Sequence, residues 1–319
     1  MNVELLIQNG NKVYYPVVQE GITWDTERKD SPGKLTFTVI KDQDINFTEG
    51  NPVRLVVDGV KLFYGFVFSK KRDKLQNITV TAYDQLRYLL NSDTYVYSNK
   101  TASDLIKMIA NDYRLNLGTI ESTSYIIASR VEDNTDLSDM IQNALDLELT
   151  NKKTMYVLYD DFGKLTLKGL ERMKVGVVID EETGENFDYT STIDAQTYNK
   201  IKLVYDNEKT GKREVYISQD SKNINNWGIL QYYDTLQEGE NGQAKVDALL
   251  SLYNAKTRNL KITNAFGSLK VRAGSMVVVN LNLGDVAVKN CMLVEKCKHV
   301  FKESEHKMEL TLKGGEFVV

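Results

Sequence analysis

The chain predicts a β-rich α+β fold: two small β-barrel domains, an inserted α/β domain and a mixed helix/strand segment. Three observations predict it. Short runs alternating apolar and polar residues, separated by turn signals, fill both ends of the sequence. Helical periodicity is confined to the middle. One pattern is also written twice. GNPVRLVVDG at 50–59 and GSMVVVNLNLGD at 274–285 each follow a glycine with alternate apolar residues: Val53, Leu55, Val57 in one, Val277, Val279, Leu281 in the other. A second strand follows in each copy (FYGFVFS with Phe66 and Val67, or KNCMLVEK with Leu293 and Val294), then a third, ITVTAYD or KMELTLKGG.

Residues 1–98 read as the first barrel: VELLI, KVYYPVV, GKLTFTVI, PVRLVV, LFYGFVFS and ITVTAYD. Turns are expected at Asn9-Gly10-Asn11, Ser31-Pro32-Gly33 and Asp58-Gly59, and a short helix, DQLRYLLN, closes the set. The texture changes at Asn99. TASDLIKMIANDYRL opens with Thr101 as N-cap and Asp104 three residues on, a shortened capping box. A second helix, TDLSDMIQNALDLEL, takes Thr135 or Asn134 as cap and leads into the hairpin TMYVLYDDFGKLTLKGL, so 99–172 form the inserted α/β unit. Residues 173–258 are the mixed segment. They hold a hairpin with its tip at Asn207 to Lys212, a buried-looking Trp227, and a helix in GQAKVDALLSLYNAKTRNL packing through Ala244, Ala248 and Leu252, with Leu249 and Tyr253 also available. Residues 259–319 return to strand as the second barrel, open to completion by strands from 173–220.

Bulk properties exclude several classes. Hydrophobic content of 42% and charged content of 26% over 319 residues are those of a globular protein with room for two or three cores. A net charge of -4 and a pI near 5.5 give no electrostatic footprint for nucleic acid. No run approaches eighteen apolar residues, and MNVELLIQNGNKVYYP has no basic n-region, so neither membrane insertion nor a leader is expected. Cys291 and Cys297 lie on one strand, too far apart for a disulfide, which suits a reducing cytoplasm.

Little of the sequence suggests chemistry. The two histidines, His299 and His306, flank the last turn, and Cys297 shares a face with His299. The trio is a weak metal candidate, because a closed site wants convergent ligands and cross-strand polar neighbours are common. Asp160, Asp161, Asp180, Glu181 and Glu182 stand beside glycines and read as solvated turn acids. No P-loop, Rossmann glycine pattern, nucleophile elbow or zinc-protease helix occurs. The expectation is no catalytic residue and no cofactor. TASDLIKMIANDYRLNLGTI does look like the first half of a LysM cell-wall-binding module. The second helix of that module, however, should follow after a few residues, and here it begins some fifteen residues later.

Taken in order, ITVTAYDQLRYLLN, TASDLIKMIANDY, LYDDFGKLTLK and CKHVFKESEHKMELTLKG resemble the XkdQ/YqbQ family over almost the whole chain. These are baseplate hub proteins of contractile tails in phages and phage-tail-like bacteriocins. The resemblance implies a structural, non-enzymatic hub. Three copies would form a ring of six similar barrels joining a sixfold tail tube to a threefold central spike. Its implied partners are further copies of itself, the tube, spike and tape-measure proteins, and DNA passing through the lumen without specific binding. It also implies assembly in the bacterial cytoplasm, then residence in the baseplate of a particle. The strands carrying Val53, Leu55, Val57, Phe66, Val67, Val277, Val279, Leu281, Leu293 and Val294 are the candidate assembly interface. The alternative reading is a tail-tip module, cell-wall-binding or peptidoglycan-degrading, centred on 99–172.

Overall fold

Alternation becomes strand where a turn residue stands ready to reverse the chain. In the N-terminal half, strands β1 (Val3–Asn9), β2 (Lys12–Tyr14), β3 (Ile22–Glu27), β4 (Lys34–Val39), β5 (Pro52–Val57), β6 (Val60–Arg72) and β7 (Ile78–Tyr83) all pair antiparallel. Asp58 and Gly59, both with positive φ, make the two-residue turn between β5 and β6. The alternate residues Val53, Leu55 and Val57 point into one core with Leu35, Phe37, Val80 and Phe63. Asp84 then caps a 3-10 turn, Gln85–Leu90, where the short helix was expected.

The middle of the chain forms two smaller bodies. The first contains β8 (Ser92–Lys100), α1 (Ala102–Asp112), β9 (Leu117–Ile120), β10 (Ile127–Asp136), α2 (Leu137–Lys152), β11 (Tyr156–Asp160) and β12 (Leu165–Gly169). Thr101 and Asp104 make the full capping box. The N-cap of α2 is Asp136, not Thr135 or Asn134, because β10 runs to that residue. Strands β13 (Lys174–Ile179) and β14 (Asn186–Thr192) follow. The second body holds β15 (Lys200–Asn207), β16 (Lys212–Gln219), α3 (Ser221–Trp227), β17 (Gln231–Thr235) and α4 (Gly242–Tyr253). Helix α4 buries Val246 and Leu249 against Ile201 and Leu203, whereas Ala244 is exposed and Trp227 half-buried. The larger side chains define the packed face, so the expected alanine stripe lies off it.

Strands β18 (Thr257–Phe266), β19 (Met276–Asn282), β20 (Ala287–Lys302) and β21 (Glu305–Gly314) complete the C-terminal half, together with β13 and β14. Strands β15 and β16 instead form their own sheet with β17. The computed structural model describes residues 1–194, 196–207, 210–236, 240–282, 287–302 and 304–314. Parts of the expected 207–212 tip, of the turns after Asn282 and Lys302, and of GGEFVV lie outside the described residues.

The written repeat is a structural repeat. Strand order is β1-β5-β6-β7-β4-β3 in one half and β13-β19-β20-β21-β18-β14 in the other; only the first pair differs, antiparallel for β1–β5 and parallel for β13–β19. The glycine turns correspond atom for atom. Gly50 N donates to Val67 O (2.8 Å) and Val67 N to Asn51 O (2.9 Å); Gly274 N donates to Val294 O (2.8 Å) and Val294 N to Ser275 O (2.9 Å). Asn51 Oδ1 accepts from Thr48 N, and Ser275 Oγ accepts from Arg272 N. Even the bulges coincide, between Val67 and Ser69 and between Val294 and Lys296.

The expected pair of closed barrels is not formed. Both halves belong to one 13-stranded sheet, and none of the sheets closes on itself among the described residues. The reason lies at β20, whose far end adds to the edge of β3 and so continues the sheet into the other half.

The two equivalent glycines give a direct test. Gly50 (φ +84°) has open space around its missing Cβ, whereas a Cβ on Gly274 (φ +88°) would stand 2.4 Å from Val157 Cγ1. Gly50→Ala is expected to cost about 1–2 kcal/mol for the left-handed backbone alone. Gly274→Ala is expected to cost ~1–3 kcal/mol more, from overpacking against the inserted body. Urea unfolding of the two variants measures the difference.

Candidate assembly interface

Inside the chain, the two halves meet along a strand pair that is itself an interface. β3 and β20 run antiparallel, with Glu27 opposite Lys296, Thr26 opposite Cys297, Asp25 opposite Lys298 and Trp24 opposite His299. Arg28 makes a two-pronged ion pair with Glu295 (2.8 and 3.0 Å), and Lys296 reaches Glu27 at 2.9 Å. The Trp24 ring stacks on His299 with centroids 5.0 Å apart.

Beside this seam lies a buried charge cluster joining three parts of the molecule. Asp84 comes from the end of β7, Asp160 from the hairpin of the inserted body, and Arg272 from the glycine turn before β19. Asp84 is 3% exposed, and its carboxylate accepts from Gly33 N and Leu86 N, both at 3.0 Å. Asp160 is 4% exposed; Oδ1 accepts from Gly163 N at 2.6 Å, while Oδ2 has no hydrogen-bond partner among the described residues. The Arg272 guanidinium donates to Asp160 O at 2.9 Å and lies over Tyr159, 4.2 Å from its ring centre.

Burial, reinforced by the charge of Asp160, holds the Asp84 carboxyl well above the usual carboxylate range. Burial likewise raises Asp160, against the pull of its Gly163 hydrogen bond. Asp160 is thus a buried junction residue and not the solvated turn acid its neighbours suggested, whereas Glu181 and Glu182 are exposed as expected. Sequence reasoning missed Asp84 and Arg272. The one available signal was an arginine two residues before the repeated glycine, where the other copy has Thr48.

Cys297, His299 and His306 do come together. His299 Nε2 lies 2.9 Å from Val271 O and 3.2 Å from Cys297 Sγ, and His299 Nδ1 lies 2.8 Å from His306 Nε2. A carbonyl only accepts, so His299 carries its proton on Nε2; Nδ1 then accepts from the Nε2–H of His306. Both His299 ring nitrogens and His306 Nε2 are engaged with each other and with the backbone. Among the described residues no group of three or more metal-ligating side chains is arranged around a common point.

Burial pulls His299 down to about 3 and His306 to about 4. Both remain neutral in the folded protein while the unfolded chain protonates near 6.5, so stability is lost as pH falls from 6.5 through 4. In His306→Gln the amide keeps a donor but cannot titrate. Its unfolding midpoint is expected to fall less steeply over that window.

The candidate strands contribute unequally. Val53, Leu55, Val57, Val67, Val277, Val279, Leu281 and Val294 are buried in the two cores, Leu293 is buried outside them, and Phe66 is half-buried against Tyr64. What these strands turn toward solvent is the face opposite the cores, where Arg54 and Val278 are exposed.

This architecture is that of phage tail proteins. The fold matches the 43 kDa tail protein of prophage MuSo2 from Shewanella oneidensis (TM-score 0.70, 12% identity, 97% of this chain and 98% of the other). It also matches E. coli c3393, a type VI secretion system component described as similar to T4 tail proteins gp27 and gp5 (TM-score 0.58, 10% identity, 97% and 76%). The chain belongs to the YQBQ-like family, whose model matches residues 22–313. It is 32% identical to the uncharacterized protein YqbQ of Bacillus subtilis strain 168 over 307 residues, covering 92% of this chain and 91% of YqbQ. It is 29% identical to the phage-like element PBSX protein XkdQ of the same strain, covering 92% of both chains.

Proposed function

We propose that the chain is the structural hub of a contractile-tail baseplate: a trimeric ring that presents six similar halves to a sixfold tail tube and three subunits to a threefold central spike. The observation that carries this is the duplicated half, with the same strand order, glycine turn and bulge twice in one polypeptide. A subunit with two equivalent faces is what a symmetry-adapting ring needs, and cyclic closure makes each contact heterologous. Kinship with a protein of a phage-like element and the fold shared with tail proteins support the reading. The tube, spike and tape-measure proteins are the partners, met during assembly in the host cytoplasm and kept in the particle baseplate. DNA slides through the lumen without specific binding, because a chain of net charge -4 offers phosphate no overall attraction.

Copy number in purified tail particles tests the proposal: three chains per baseplate are expected, and any number not divisible by three overturns it. The chain is not expected to clear peptidoglycan suspensions. Lysis that disappears when 99–172 are deleted would favour a tail-tip cell-wall module.

A further inference from the structure

The duplication carries a second consequence, which rests on the ring proposed above. Inside each chain, the far part of β20 supplies an edge that β3 covers. By the structural repeat, Val294 corresponds to Val67, so Lys296–His299 correspond to Ser69–Arg72 at the end of β6. In β6 that stretch pairs on one side with β7, and no strand covers its other side among the described residues. The counterpart of β3 is β14: Trp24 stands opposite Leu35, and Tyr189 stands opposite the corresponding Leu260. β14 is an end strand of the large sheet, seven residues long and mostly exposed. Its sequence, NFDYTST, is rich in strand formers and has neither proline nor lysine, the devices that normally guard an open edge. Each copy thus carries both halves of the seam a second time, unmet.

We infer that β14 of one copy pairs antiparallel with the end of β6 of the next. In this register Thr192 faces Ser69, Ser191 faces Lys70, Thr190 faces Lys71 and Tyr189 faces Arg72. The chemistry fits the in-chain seam position by position. Where Trp24 stacks on His299, Tyr189 meets the Arg72 guanidinium. Where Arg28 pairs with Glu295, Ile193 meets Phe68, exchanging an ion pair for an apolar contact. Lys71 lies diagonal to Asp188 across the new pair. The contact is head-to-tail, so within a closed ring its repetition leaves neither edge free.

A register-specific disulfide tests this. In the in-chain seam Arg28 N donates to Glu295 O at 2.9 Å, which makes Asp25 and Lys298 a non-hydrogen-bonded pair with close side chains. Their counterparts, Thr190 and Lys71, are both exposed, so cysteines there leave the cores intact. Lys71→Cys with Thr190→Cys, in a Cys291→Ser background, is expected to link chains into a ladder ending at the trimer under mild oxidation, in tail particles and in concentrated protein.

Lys71→Cys with Asn186→Cys, displaced by four residues or about 13 Å, is the register control. It is expected to give at least ~10-fold less linked chain. Particles holding three chains in which the first pair fails to link, or both pairs link equally, overturn the edge pairing and leave the ring standing. Linking at the predicted pair with a ladder closing at another number keeps the edge pairing and removes the trimer. If the chain stays out of particles and unlinked in concentrated solution, both fall.

Discussion

Arg272→Ala is expected to destabilise the folded chain by about 3–5 kcal/mol, the cost of leaving buried carboxylates without their cation. Asp84 and Asp160 are the groups left behind, and both are buried. The loss should depend on pH in a definite sense. Both carboxyls have folded pKa values above the ordinary 3.8, so the folded state binds more protons than the unfolded chain. They favour folding in acid, and that contribution is lost as pH rises through their folded values. Removing the guanidinium raises those values further. The deficit of Arg272→Ala is therefore expected to be larger at pH 8 than at pH 5 in urea unfolding. Arg272→Lys should fall between wild type and alanine, since it keeps the charge and loses the flat stack on Tyr159. An equal deficit at both pH values would show that lost packing, not charge, causes the effect.

Val279→Asp is expected to be comparably severe, at about 4 kcal/mol or more, because a carboxylate at a fully buried position must either ionise without solvent or fold only when protonated. Its neighbour Val278 is 44% exposed on the opposite face of β19, and Val278→Asp is expected to cost less than ~1 kcal/mol. Val57→Asp repeats the experiment in the N-terminal core, where Val57 is also fully buried. Thermal unfolding of the three variants reads out both the strand alternation and the equivalence of the halves.

Much of this molecule was legible in its residues. Alternation in PVRLVV and MVVVNL, the Asp58-Gly59 turn and the Thr101 capping box are local signals, decided within a few positions, and each lies where expected. The repeat was visible for the same reason. Contacts decided at long range were not. Nothing local in CKHVFK reveals that this strand serves β21 on one side and β3 on the other, so two barrels were expected where one sheet runs through. Nor does a lone arginine in VRAGS announce that two acids from distant segments converge on it. In α4 the periodicity was legible but the packed face was not, because alanine and valine both satisfy an apolar pattern and only the surroundings choose Val246.

The seam between β3 and β20 also orders events at the ribosome. Thr26 waits for Cys297, 271 residues downstream, before its side of the sheet is covered. Until then the nascent N-terminal half shows an uncovered strand to every neighbouring polypeptide, and contacts of such long sequence separation form slowly. The chain is thus most exposed to wrong pairing in the interval before its late hairpin emerges. Slower translation would lengthen that interval.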